Sequence, residues 1–137
     1  MFFEKKGKDD NNFLLKVSAL LIHTAKIDED YSKKEEEIIK RTLFKLGAKK
    51  ENLENLIEKA KKLEENSNQI LVFTREVKNM SEQNKIKIVE ALWEIIYSNK
   101  EADAYETNLM RRLAGLLYID DKLMGKIKDK IKKENSQ

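Results

Sequence analysis

The chain has 137 residues, of which 39% are charged and 40% hydrophobic, the balance of one soluble domain around one core. Its 28 basic and 25 acidic residues are interleaved to a net charge of +3, which is not the basic footprint of a nucleic-acid binder, although the end KIKDKIKKENSQ is locally basic. With no cysteine it can form no disulfide, thiol site or zinc–thiolate site, and with no proline and four glycines it has little tight-turn punctuation.

The start, MFFEKKGKDDNN, carries its charges behind an apolar pair and is not expected to be a signal peptide. Residues 1–12 read as a polar tail, with Phe2 and Phe3 as anchors onto the body. Phe13, Leu14, Val17, Leu20 and Leu21 recur at helical spacing and predict a first helix over 13–26. Its apolar run is broken by Lys16 and is about half the length of a membrane span. An acidic loop follows. Ser32 stands three residues before Glu35, the capping-box spacing that satisfies backbone donors at a helix start. Ile38, Ile39, Thr42, Leu43 and Leu46 give the second helix its apolar stripe, and Gly47 falls where a left-handed C-terminal cap belongs.

A third helix is expected over 50–65, with Leu53, Leu56, Ile57, Ala60 and Leu63 on one face, broken by Asn66, Ser67 and Asn68. Ile70, Leu71, Phe73, Thr74 and Val77 form a short fourth helix. Ser81 caps a fifth, striped by Ile86, Val89, Leu92, Trp93 and Ile96. After a second acidic loop, Asp103 and Glu106 make another capping box, and Leu109, Met110, Leu113, Leu116 and Leu117 follow on a sixth helix. Asp120 caps a seventh, with Leu123, Ile127 and Ile131 at four-residue steps. No stretch alternates like a strand. The expected fold is all-α, a compact bundle of about seven helices, with one domain over 13–132 and a C-terminal tail over 133–137.

An offset of 71 residues brings the pattern back: Leu21 falls on Leu92, Asp28 on Asn99, Ser32 on Asp103, Glu35 on Glu106, Arg41 on Arg112 and Leu46 on Leu117. Loop length and both capping boxes match in register. An internal pseudo-repeat is therefore expected, with two loop–helix units sharing one core.

The second half also resembles a known family. Phe73, Thr74 and Arg75, then Glu90, Leu92 and Trp93, then Tyr105 and Glu106, then Arg111 and Arg112 before Leu116 and Leu117, are similar to the pattern of the TerB-like, tellurite-resistance-associated helical domain. The likeness extends over residues 13 to 132 and is closest to small stand-alone bacterial members with no assigned activity. It implies an all-α, non-catalytic domain and a link to tellurite and other stress responses. The same domain is related to the N-terminal region of a membrane-anchored J-domain co-chaperone. The only histidine here, His23, is followed by Thr24, and a chain without proline cannot carry the His-Pro-Asp signature, so no chaperone stimulation is implied. The family loop reads Asp-Gly, five residues, then Glu. The first loop keeps Asp28 and Glu35 but has Glu29 for the glycine. The second has Asn99 and Lys100 in place of Asp-Gly and keeps only Glu106.

The acidic loops raise a metal question. An EF-hand needs oxygens at positions one, three and five, glycine at six and a bidentate Glu at twelve. Asp28, Asp30 and Ser32 fit the first three, but Lys33 and Ile39 stand at six and twelve. In the second loop Asn99, Glu101 and Asp103 fit, and Ala104 and Met110 do not. A looser hard-cation site for Ca²⁺ or Mg²⁺ is left at Asp28, Asp30 and Glu35, opposed by Lys33 and Lys34, with a weaker counterpart at Asn99, Glu101, Asp103 and Glu106. Helix capping and favourable helix-dipole contacts are the competing account of the same acids.

Other residues read as structural. A single histidine makes no His-based metal cluster or triad, and no glycine-rich phosphate loop is present. Trp93 sits on the core stripe. Gly115 suggests a close helix approach. Arg41, Arg75, Arg111 and Arg112 are expected to pair with acids such as Glu76, Glu90 or Glu94, or else to present a binding surface. The reading is a cytoplasmic, non-enzymatic interaction or stress-response module. It needs no cofactor, binds an unidentified protein partner and no nucleic acid, has no transmembrane segment, and leaves room for peripheral membrane association. The alternative is a divalent-cation sensor at the first acidic loop.

Overall fold

The structure, a computed structural model, describes residues 2–26, 33–67, 70–98 and 104–135, with side chains described from Asn12 in the first segment and from Glu106 in the last. Seven α-helices run through these residues, and none of them forms a strand: α1 (Phe2–Ala25), α2 (Lys33–Lys45), α3 (Leu53–Glu65), α4 (Leu71–Val77), α5 (Glu82–Tyr97), α6 (Ala104–Leu116) and α7 (Asp121–Asn135). A 3-10 turn, Lys50–Asn52, leads into α3.

Two helices make the centre. The stretch Val17 to Ile22 of α1 is buried on every side, and so are Ile88, Val89, Ala91, Leu92, Trp93, Ile95 and Ile96 of α5. A helix that is apolar all round has neighbours all round. α1 packs against α5, and also against α3 and α4; α5 packs also against α2 and α7. The outer helices are apolar on one stripe only. Ile38, Ile39 and Leu43 of α2, Ile57 and Ala60 of α3, and Met124, Ile127 and Ile131 of α7 are buried while their charged faces are wet. Short α4 inserts Phe73 and Val77 against α1, and α6 rests on α4 and α7.

α1 begins at Phe2, where a polar tail was expected up to residue 12. Glu4, Lys5 and Lys6 are good helix formers, and neither Gly7 nor the asparagines carry enough penalty to stop a helix already nucleated by the buried turns that follow. At the other end α7 continues through Asn135, past the expected boundary at 132, because its last residues are again lysine and glutamate.

The helix ends follow the capping chemistry. Ser81 Oγ accepts from the Asn84 N–H at 3.2 Å, and Asp120 Oδ1 accepts from the Lys122 N–H at 3.3 Å. α2 closes in a Schellman turn. The Ala48 N–H donates to the Leu43 carbonyl at 2.9 Å and the Gly47 N–H to that of Phe44 at 3.0 Å, with Gly47 at φ 110°. α6 closes in the same way: Ile119 to Ala114 at 2.9 Å and Tyr118 to Gly115 at 3.3 Å, with Tyr118 at φ 57°. Lys33 to Ala104 and Lys45 to Leu116 are each 71 residues, so that shift lays α2 on α6 end to end and Gly47 on Tyr118. Gly115 is not at a close helix approach. It is exposed, and a Cβ built there meets nothing within 4 Å, so its lack of a side chain leaves nothing to pack against.

No helix among the described residues is long and apolar enough to cross a membrane.

Candidate functional site

α1 delivers the chain into the first acidic loop, and the exit is clamped. Glu64, near the end of α3, reaches across to α1: its Oε1 accepts from Lys26 Nζ at 2.6 Å and its Oε2 lies 3.1 Å from His23 Nδ1, which donates when protonated there. The Glu64 side chain is 10% exposed. Burial pushes its carboxyl up, but the hydrogen bonds from Lys26 and His23, with their charges, outweigh that and hold it below the ordinary glutamate value. The pairing of His23 with Glu64 was not legible in the sequence, since the two residues are 41 apart on different helices.

On the far side of each loop a glutamate is withdrawn from water. Glu35 is 1% exposed and Glu106 is 2% exposed, each the third residue of its helix. That is the capping-box position, and its reach is back toward the preceding loop. Lys33 and Lys34 are exposed around Glu35. On the second side, Tyr97 is buried beside the α6 start. Burial first, then the charges of Asp129 and Glu106, push its phenol above the ordinary tyrosine value. One turn back, Trp93 stacks on Tyr97 with ring centroids 5.8 Å apart and 25° between planes. Lys128 Nζ lies 5.4 Å from the Trp93 ring centroid, a cation–π distance. The Trp93 Nε1 and the Ser18 Oγ are buried without a hydrogen-bond partner among the described residues.

Of the proposed ligands, Asp28 and Asp30 in the first loop and Asn99, Glu101 and Asp103 in the second lie outside the described residues, as does the Ser32 cap. Glu35 and Glu106 alone of the two sets are described. Among the described residues, no three carboxylates or imidazoles gather closely enough to hold an ion. The donor types fit a hard cation all the same, since each set is made of oxygens.

The arginines divide. Arg41 of α2 pairs with Glu94 of α5 across a cleft of about 260 Å³ that Lys34, Glu37 and Ser98 also line. Arg75, Arg111 and Arg112 are exposed. The other expected acceptors are taken by lysines: Glu76 by Lys16 at 3.2 Å and Glu90 by Lys130 at 2.7 Å. A second cavity, about 610 Å³, opens between α1 and the α2–α3 corner.

Residues 14–129 match the family model described as tellurite resistance protein TerB, and the chain belongs to this family. No curated protein and no solved structure matches it.

Proposed function

We propose that the chain is a non-catalytic binding module that acts in the cytoplasm, holding a protein partner in a stress response of the kind the family name points to. The observation that carries the reading is how the acid–base groups are used. The one histidine is turned onto Glu64, beside Lys26, and among the described residues the larger cavity is lined by no carboxylate and no histidine. General acid–base chemistry needs such groups facing a bound reactant. Large apolar side chains do face solvent, among them Phe44 on α2 and Leu71 and Val72 on α4. A photo-crosslinking residue placed at Val72 in living cells is expected to give one discrete adduct with another protein, and the same residue at Lys132 none. Identical adduct patterns from both positions, or no adduct from Val72, would overturn the reading.

A second reading is favoured by the burial of Glu35 and Glu106 at matched positions. A capping box needs a carboxylate at the helix end, but does not need it out of water. In this reading the acidic loops gather Ca²⁺ or Mg²⁺, with Asp28, Asp30 and Glu35 as the first set and Asn99, Glu101, Asp103 and Glu106 as the second. Titration with calcium, magnesium and manganese is expected to move the amide resonances of residues 28 to 35, and Asp28→Ala to abolish the movement. Silence at millimolar metal sinks it.

A further inference from the structure

The cavity between α1 and the α2–α3 corner has no role in either reading above. Its floor includes Leu14, Leu15 and Leu56, its corner is Gly47, and Lys49 and Lys59 stand at its edge. At about 610 Å³ it is within the size range of small-molecule sites. A Cβ at Gly47 would meet nothing within 4 Å, so the corner is open.

The other half of the chain shows what stands at the equivalent corner, where Tyr118 is 68% exposed. A shift of 71 residues places Tyr118 on Gly47, Lys85 on Leu14, Asp120 on Lys49, Lys130 on Lys59 and Glu90 on Ala19. There the Tyr118 ring stands at the corner, with the ammonium groups of Lys78 and Lys85 at 5.8 and 6.0 Å from its centroid. Asp120 caps α7, and Lys130 is paired with Glu90. In the first half each of these contacts is missing. Gly47 brings no ring. Lys49, at the head of the 3-10 turn, makes no side-chain cap. Ala19 offers Lys59 no carboxylate. Among the described residues neither Lys49 nor Lys59 has an ion-pair partner, and the nearby acids of α3 are engaged elsewhere, Glu54 with Lys40 and Glu58 with Lys61.

We infer that this cavity is a binding site for a small aromatic carboxylate. The flat apolar body lies on Leu15 and Leu56 beside Gly47. The carboxylate meets the ammonium groups of Lys49 and Lys59. The ligand supplies what the second half carries on its own chain: a ring beside the turn and a negative charge for a lysine. The inference is of binding alone and includes no reaction.

The test uses the full chain, 2-naphthoate as probe and 2-naphthamide as its uncharged counterpart, followed by amide NMR. Naphthoate is expected to give saturable shifts centred on Leu15, Ala48 and Leu56. The exposed double variant Lys49→Ala/Lys59→Ala is expected to weaken it roughly tenfold, and naphthamide to bind the native chain weaker by a similar factor. Asn55→Trp, a substitution on the cavity wall rather than in the core, is expected to abolish the shifts while the spectrum stays folded. The proposal is overturned if naphthoate gives no saturable shift at millimolar concentration. It is equally overturned if the shifts map elsewhere, or if the amide binds as well as the acid. Ligand-free shifts at this corner that grow with protein concentration would also overturn it, because they would mean that a second copy covers the face.

Discussion

Glu64→Gln is the substitution that most directly tests the clamp at the exit of α1. Glutamine keeps the shape and removes the charge. Two charge-assisted hydrogen bonds are affected, the 2.6 Å bond from Lys26 and the 3.1 Å contact with His23. Buried bonds of this kind contribute about 1.5–3 kcal/mol each. Here both partners are well hydrated, Lys26 at 43% and His23 at 36% side-chain exposure, so water recovers much of the loss. The expected cost is about 1–2 kcal/mol for the pair at neutral pH, or roughly 3–8 °C in Tm for a chain of this size.

The pH dependence gives the sharper test. The folded Glu64 carboxyl titrates below its ordinary value of 4.5, so the unfolded chain takes up this proton first as pH falls. The stabilisation is therefore complete above that ordinary value and is lost as pH falls through the folded one. Urea unfolding can be followed by Trp93, the single tryptophan, which is buried. The gap between native chain and variant should be full at pH 7, still present just above the ordinary glutamate value, and should narrow as pH falls below it through the folded value. A gap that does not narrow below the ordinary value, or none at pH 7, would refute the clamp.

The two Schellman turns make opposite predictions for matched positions. Gly47→Ala should cost about 1–2 kcal/mol in spite of the open space, because the strain is in the backbone, whereas Tyr118→Gly should lie between no change and about 1 kcal/mol of added stability. Urea midpoints of the same sign for both would contradict the shared turn geometry. Lys130→Ala should cost less than about 1 kcal/mol, because its side chain is 58% exposed. The hydrogen bond to Glu90, then the charge of that carboxylate, holds the Lys130 ammonium above the usual lysine value. This contribution should be present at neutral pH, fade as pH rises through the folded value, and shrink in about 1 M salt. Leu92→Ala, in the fully buried centre of α5, should cost about 3–5 kcal/mol, while Leu71→Ala on exposed α4 stays within about 0.5 kcal/mol, both measurable in the same denaturation series.

What the sequence made legible was what local chemistry determines. The stripes of Ile38, Ile39 and Leu43, and of Leu123, Ile127 and Ile131, mark buried faces because a helix repeats every 3.6 residues whatever it packs against. Ser81, Asp120 and Gly47 were readable because a cap satisfies donors or acceptors only a few residues away. The start of α1 was not readable. Whether a polar segment such as EKKGKDDNN continues a helix depends on the length already nucleated behind it, which a stripe-based reading does not weigh. The site was less legible still. His23, Lys26 and Glu64 meet because α1 and α3 pack, and nothing within either segment says which glutamate will face the histidine. Glu35 and Glu106 were picked out as caps, but their burial depends on neighbours from other helices.

Positions 71 residues apart illustrate this division physically. Backbone donors and acceptors at a helix end must be satisfied wherever a helix ends, so the Schellman bonds that close α2 and α6 fall at positions 71 residues apart. Side chains meet different partners in each half and face no such requirement. Shifted by 71 residues, exposed Lys26 falls on buried Tyr97, Ile22 on Trp93 and Glu58 on Asp129. The first loop is thus entered past a Lys–Glu–His cluster, and the second past a stacked aromatic pair beneath Lys128. The described residues that flank the two loops therefore differ in charge and polarity. A cation approaching Glu35 meets the wet ammonium groups of Lys33 and Lys34. One approaching Glu106 meets a buried phenol whose proton that glutamate already helps to retain. If both loops take up metal, they should do so with unequal affinity, and the amides of α2 and α6 would report two separate midpoints in one titration. A single shared midpoint would mean that the burial of Glu35 and Glu106, common to both halves, governs affinity more than the surroundings in which they differ.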